Sequence, residues 1–148
     1  MNKDLLIDVK HVDKRFPVGD SFVHVLKDVS FQVRRGEFVA IVGQSGSGKS
    51  TLLNMITGVD RPSEGTVTVA GQQLNDMGEN DLALWRRRGI GIVFQFFNLV
   101  PGLTIGQNVR LPMDLAAQYT QPERLQRAHA LLDRVGLADR IDWMPSPE

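Results

Sequence analysis

Apolar residues recur along this chain in two rhythms, and the rhythm of strands comes first. Residues 5–12 alternate in part and predict a strand. Residues 13–21 are polar and carry Pro17 and Gly19, which predicts a loop. Residues 23–26 and 29–33 predict two more strand pieces, so the first 35 residues have the pattern of an antiparallel β layer. Residues 37–42 are an unbroken apolar run rich in β-branched side chains, the pattern of a buried strand. Residues 50–56 predict a helix, with Gly58 as its stop. A turn at residues 60–65 leads to an alternating strand at residues 66–70, closed by Gly71. Asn80 or Asp81 can cap a short helix running to Arg88 and ending at Gly89. Residues 90–95 repeat the buried-strand pattern, and an apolar loop opens at Phe96 and closes at Leu103.

The helical rhythm follows. Thr104 and Gln107 have the spacing of a capping box that opens a helix, which Pro112 is expected to interrupt. Thr120 and Glu123 repeat the box. Leu125, Ala128, Leu131, Leu132 and Val135 then make an apolar stripe, with Gly136 just past its end. Residues 143–148 read as irregular. There is no internal repeat and no linker-like stretch.

Between the run at 37–42 and the helix at 50–56 lies Gly43-Gln44-Ser45-Gly46-Ser47-Gly48-Lys49-Ser50, followed by Thr51. It fits G-x-x-x-x-G-K-[ST], the phosphate-cradling P-loop, in the strand–loop–helix order that the motif requires. The glycines let the main chain approach a ligand closely. Successive N–H groups can then form an anion-binding nest, and the start of the helix adds unpaired donors and the positive end of its dipole. Lys49 supplies a mobile charge for the β- and γ-phosphates, Ser50 a hydroxyl for Mg²⁺, and Thr51 can reach the α-phosphate. A plain Gly/Ser-rich turn would not explain the flanking strand and helix. The predicted class is α/β, a P-loop core with an N-terminal antiparallel β layer and a C-terminal helical part.

Composition narrows the partners. The chain has 148 residues, enough for one domain and one core. Lys plus Arg and Asp plus Glu both total 17, so the formal net charge is zero. That argues against nucleic acid or an anionic membrane as the main partner. Without cysteine there is no disulfide, thiol catalysis or Cys-type zinc site. No apolar run is long enough to span a bilayer, and Met1-Asn2-Lys3-Asp4 lacks a signal-peptide core. A reducing, cytoplasmic setting is the expectation. His11, His24 and His129 lack ligand spacing, and Arg86-Arg87-Arg88 reads as a charged helix end rather than a phosphate site.

The stretches LKDVSFQVRRGEFVAIVGQSGSGKSTLLNMITGVDRPSEGTVTVAGQ and RRRGIGIVFQFFNLVPGLTIGQNVRLP resemble the ATP-binding subunit of ABC transporters. The second is similar to the branch of macrolide-export, lipoprotein-release and cell-division ATPases. The resemblance implies that Gly43 through Thr51 form the Walker A loop. It implies that Phe16 stacks on adenine, although a loop aromatic packed on the β layer is the plainer reading. Gln95 matches the Q-loop glutamine, which touches Mg²⁺ and helps orient the attacking water; the plainer alternative is a polar strand end. The loop from Phe96 to Leu103 matches the surface that meets the membrane subunit.

What the resemblance implies as a whole is an ATP hydrolase with ATP and Mg²⁺, acting as a homodimer beneath a transmembrane permease on the inner face of the membrane. Lys49 and Gln95 would be its catalytic residues. The family's signature sequence, Walker B carboxylates and switch histidine have no counterpart in these 148 residues. Asp8 and Asp133 only imitate a Walker B end. The expectation is therefore the N-terminal part of a longer ATPase, with residues 1–103 the core and 104–148 the start of a helical subdomain. Alone it would bind nucleotide without turnover and be marginally stable. A regulatory or scaffold ATPase is the other reading. A GTPase is excluded by the absence of Asn-Lys-x-Asp.

Overall fold

A computed structural model describes residues 4–145. The chain divides between Arg86 and Arg87 into two compact units.

In the first unit β1 (Leu5–Val18) and β2 (Ser21–Arg34) form a long antiparallel hairpin. β3 (Glu64–Val69) pairs antiparallel with the other edge of β1, and the short β4 (Gln72–Gln73) extends it, giving the order β2-β1-β3-β4. The expected loop at 13–21 is instead strand up to Val18. Pairing of β1 with β3 stops at Asp13, so Pro17 lies where β1 is paired on one side only and a missing N–H costs least. The two strand pieces expected before the P-loop are one strand. The polar gap between them is a bulge: Asp28 has φ 49°, as does His11 opposite, and the His11 and Asp28 side chains meet at 2.7 Å. The extra residue on β1 explains why Val9 and Val12, three apart, both face the core.

α1 (Lys49–Ile56) lays Leu52, Met55 and Ile56 on that core, against Val9, Val12, Leu26, Val67 and Val69. A 3-10 turn (Leu74–Asp76) adds Leu74, and α2 (Glu79–Gly89), which runs across the division, adds Leu82 and Trp85. Polar ties hold the turn after α1. Lys14 Nζ donates to Asp60 Oδ1 at 2.6 Å and to the Arg61 carbonyl at 2.7 Å. Arg61 in turn donates to the carbonyls of Asn75 and Met77.

Two expected strands are absent. Residues 37–42 and 90–95 are extended or irregular, and no described strand is hydrogen-bonded to either. Their apolar pattern reports a preference for burial, whereas a strand also needs a ladder partner. Ile41 packs on the core, but Phe38 and Val42 are 99% and 87% exposed, and Val93 is wholly exposed.

In the second unit α3 (Ile105–Leu115) opens with the expected box: Gln107 N–H donates to Thr104 Oγ1 at 3.2 Å, and Thr104 N–H to Gln107 Oε1 at 2.8 Å. Pro112 does not interrupt the helix as expected. It removes one N–H and keeps its carbonyl, which accepts from Ala116 N–H at 3.0 Å. α4 (Gln121–Arg134) opens with Glu123 reaching back to the N–H and hydroxyl of Thr120. Of the predicted stripe, Ala128 and Leu132 are buried, while Leu125, Leu131 and Val135 stay about half exposed or more. Residues 146–148 of the predicted irregular tail lie outside the described residues; 143–145 are irregular.

Asp114 ties α3 to α4 by accepting from Arg124 at 2.9 Å, and it also accepts from Arg110 of its own helix at 2.9 Å. The hydrogen bond from Arg124, then that from Arg110, holds its carboxyl below the ordinary 3.8. A depressed folded value means the stabilisation is complete above the unfolded value and is lost as pH falls through the lowered one. Urea unfolding of Asp114→Asn should therefore show a deficit against the parent at pH 7 that shrinks below pH ~4. A deficit equal at both pH values would exclude this charge link.

Candidate functional site: a phosphate-binding loop on the first unit

The loop from Gly43 to Gly48 connects the segment 37–42, which forms no regular element, to α1. Gly46 and Gly48 have φ of 79° and 87°, in the left-handed region where a side chain is strained. Gly48 is also tightly placed. A Cβ there would meet Leu26 Cδ2 at 2.8 Å and the Val25 carbonyl at 3.2 Å. At Gly43 a Cβ would meet Ser47 Oγ at 2.7 Å. The glycine spacing thus answers to contact with β2 and to the loop's own curl.

Gly48 is the N-cap of α1. No side chain caps the helix, and no acid sits in its first turn. Its leading N–H groups therefore remain directed at the loop, with the positive end of the helix dipole behind them. Lys49 folds back across the loop, its ammonium donating to the carbonyls of Gly43 at 3.0 Å and Gln44 at 2.6 Å. Ser47 N–H donates to the Gln44 carbonyl at 3.2 Å, tightening the turn. Val25, Gly46, Gly48, Lys49, Ser50 and Thr51 line a cleft of about 160 Å³. Its donor set of backbone N–H groups, one ammonium and two hydroxyls suits an anion with a hard cation beside it.

Of the predicted Walker A residues, Gly46, Gly48, Lys49, Ser50 and Thr51 line the cleft and Gly43, Gln44 and Ser47 meet the Lys49 ammonium, while Ser45 lies in the same loop without a contact to the cleft. Phe16 lies on β1 opposite Val23, two residues along β2 from the cleft-lining Val25, and is 38% exposed. Gln95 lies in the second unit, exposed at a bend, and not at the end of a strand as expected. The loop after it is also exposed: Phe96 is 76% and Phe97 88% accessible. Sequence reasoning missed Val25 and Leu26, whose packing fixes Gly48. They read there only as strand residues, and nothing in the motif points to them.

The glycine turn, the uncapped helix start, the Lys49 ammonium and the two hydroxyls stand in the order of a P-loop motif. The ABC transporter family matches residues 26–145, and the chain belongs to that family. It is 45% identical over 145 residues to an uncharacterized ABC transporter ATP-binding protein of Mycobacterium tuberculosis, covering 98% of this chain and 58% of that one. To the macrolide export ATP-binding/permease protein of Bdellovibrio bacteriovorus it is 46% identical over 136 residues, 92% of this chain and 20% of that one. Among solved structures it is similar to an ATP-binding cassette determined as a dimer in a post-hydrolysis state with ADP and Pi. There the TM-score is 0.86 at 38% identity, covering 95% of this chain and 62% of that one. The chain thus spans about three fifths or less of the length of these relatives.

Gly48→Ala would add both backbone strain and a collision with Leu26. It should lower stability by about 1–3 kcal/mol and weaken nucleotide binding beyond what the stability loss explains. Urea midpoints measured alongside MgATP titrations check this, and unchanged binding would exclude the close approach.

Proposed function

We propose that this chain carries the nucleotide-binding part of an ABC transporter ATPase that couples ATP binding and hydrolysis to export or release of a substrate by a membrane partner. The observation that supports it most directly is Lys49 drawn across the mouth of an uncapped helix by two neutral carbonyls. Phosphate oxygens are charged acceptors, and such bonds are roughly twice as strong as neutral ones. A triphosphate entering the cleft therefore wins the ammonium from Gly43 and Gln44. The helix N–H groups take the β-phosphate, and Thr51 reaches the α-phosphate. Phe16 supplies an apolar face for the base, a stack of about 1–3 kcal/mol.

Mg²⁺ when bound would neutralise charge on the β- and γ-phosphates. The Ser50 hydroxyl and the Gln95 amide oxygen would hold it, both hard oxygen donors of the kind it prefers. Lys49 stabilises charge that develops on the phosphoryl oxygens, and Gln95 orients the attacking water. These two are the proposed catalytic residues. The domain organisation that goes with this reading has a P-loop core to residue 103 and a helical subdomain from residue 104.

The partners follow from the same reading. Two such subunits would pair around nucleotide, in keeping with the dimeric cassette among the solved relatives. The exposed aromatic loop from Phe96 to Leu103 would meet a permease, since an apolar loop in water favours cover. No described helix is long and apolar enough to cross a membrane. The ATPase would then sit on the cytoplasmic face, held there by its partner.

Lys49→Met should weaken MgATP binding about 10- to 100-fold, the worth of a charge-assisted bond or two. Isothermal titration of the protein at its natural length checks it, and retained affinity would remove the site. Gln95→Ala should instead leave ATP affinity within about twofold and lower kcat about 100-fold or more, the scale of losing a positioning group. A rise in the ATP dissociation constant that matches the fall in kcat would make Gln95 a binding residue only.

A further inference from the structure

We propose that Lys14 is a positioning residue for the nucleobase. Its ammonium holds one face of the Phe16 ring, so that the opposite face is the one presented to the base. The inference rests on the reading of Phe16 as the base platform.

The Lys14 ammonium lies 4.8 Å from the centroid of the Phe16 ring, within cation–π range. It is not free to leave. Two of its three donors are spent on Asp60 Oδ1 at 2.6 Å and the Arg61 carbonyl at 2.7 Å. Asp60 is itself fixed, because the same Oδ1 accepts from Arg61 N–H at 2.7 Å. The Lys14 side chain is only 11% exposed, so the ring faces a largely desolvated cation rather than a solvated one. That is the setting in which such a contact is strongest.

The choice of residue is informative. Strand alternation puts Lys14 on the same side as Val12, which is wholly buried. Stability alone would be served at least as well by an apolar side chain there, because a buried ion pair rarely outperforms a hydrophobic replacement. Lysine supplies something an apolar residue cannot, a charge directed at the ring. Phe16 stands opposite Val23, and Val25 lines the phosphate cleft with Gly48 and Lys49. A ring fixed on β1 is therefore in register with the phosphate cradle through β2. Ordering the ring before nucleotide arrives spares that cost on binding.

The test compares two ligands that share a phosphate chain, only one of which has a base: MgATP and inorganic magnesium triphosphate. Their dissociation constants are measured by calorimetry on the protein at its natural length. Lys14→Met should weaken ATP about two- to fivefold, the range of one cation–π contact, and leave triphosphate unchanged. Lys14→Arg, which keeps a cation over the ring, should bring the preference for ATP back. With Phe16→Leu in place, Lys14→Met should cost nothing further. Equal weakening of both ligands by Lys14→Met would reduce Lys14 to a tie between β1 and the Asp60 turn and overturn the proposal, as would no change in either. If Lys14→Met fails to fold, Lys14→Gln keeps a donor for Asp60 without the charge, and an undiminished ATP preference in that variant overturns the proposal equally. Should Phe16→Leu itself leave the preference intact, the stacking reading of Phe16 falls and the proposal with it. Loss through Phe16→Leu but not through Lys14→Met or Lys14→Gln leaves that reading standing and removes only the role of Lys14.

Discussion

The left-handed turn at Gly48, pressed against β2, is the constraint on which the first unit depends. It must satisfy two demands at once, a positive φ and a close approach to Leu26 and Val25. Only a residue without Cβ meets both. Because the turn lies against the strand, α1 begins there and its Leu52, Met55 and Ile56 fall onto the same sheet that stops the loop. One eight-residue helix thus packs the core through these side chains and borders the cleft with its first residues. So short a helix has little stability of its own, and tertiary packing supplies what helix propagation cannot.

The electrostatics of the unit follow from which cations are given carboxylates and which are not. Lys14, Arg15 and Arg61 each pair with an acid. Lys49 is held instead by backbone carbonyls. A lysine with a carboxylate partner would lose a charge-assisted bond on meeting phosphate, whereas Lys49 exchanges neutral acceptors for charged ones. The absence of an acid from the first turn of α1 works in the same sense, since a carboxylate there would occupy the helix dipole before a ligand could. Lys49 thus keeps its charge free of a carboxylate, whereas Lys14, Arg15 and Arg61 each face one.

The local signals were legible where the chemistry is local. The glycine turn before α1, the Thr104–Gln107 box, the stop at Gly58 and the end of α4 at Gly136 are each set by a few neighbouring residues, and each stands where the sequence put it. Legibility failed where a partner decides. The polar stretch 13–18 reads as a loop, yet it is strand, because β2 pairs with it regardless of side-chain polarity. The gap at Lys27 and Asp28 reads as a break, yet it is a bulge that pairing spans. Pro112 reads as a helix end, yet one missing N–H is too small a loss to stop a helix anchored by its neighbours. The turn at Gly46 and Gly48 and the helix after it stand where the motif put them, but the strand expected before the loop does not form, and the backing on Leu26 was not read, because no sequence spacing encodes which strand will lie behind a turn.

The segment 37–42 makes the same point from the other direction, and it bears on how the cradle is held. Its apolar run predicts a strand, but no described strand pairs with it. Side-chain anchors therefore guide the entry to the P-loop where a ladder does not. At one end Arg34 N–H donates to Glu37 Oε2 at 2.7 Å, and Glu37 N–H to the Arg34 carbonyl. At the other, Ile41 reaches the core just before Gly43. These contacts fix where the loop begins, and Gly48 fixes where it ends. The entry to the loop is thus held through Glu37 and Ile41, while Phe38 and Val42 stay exposed beside them.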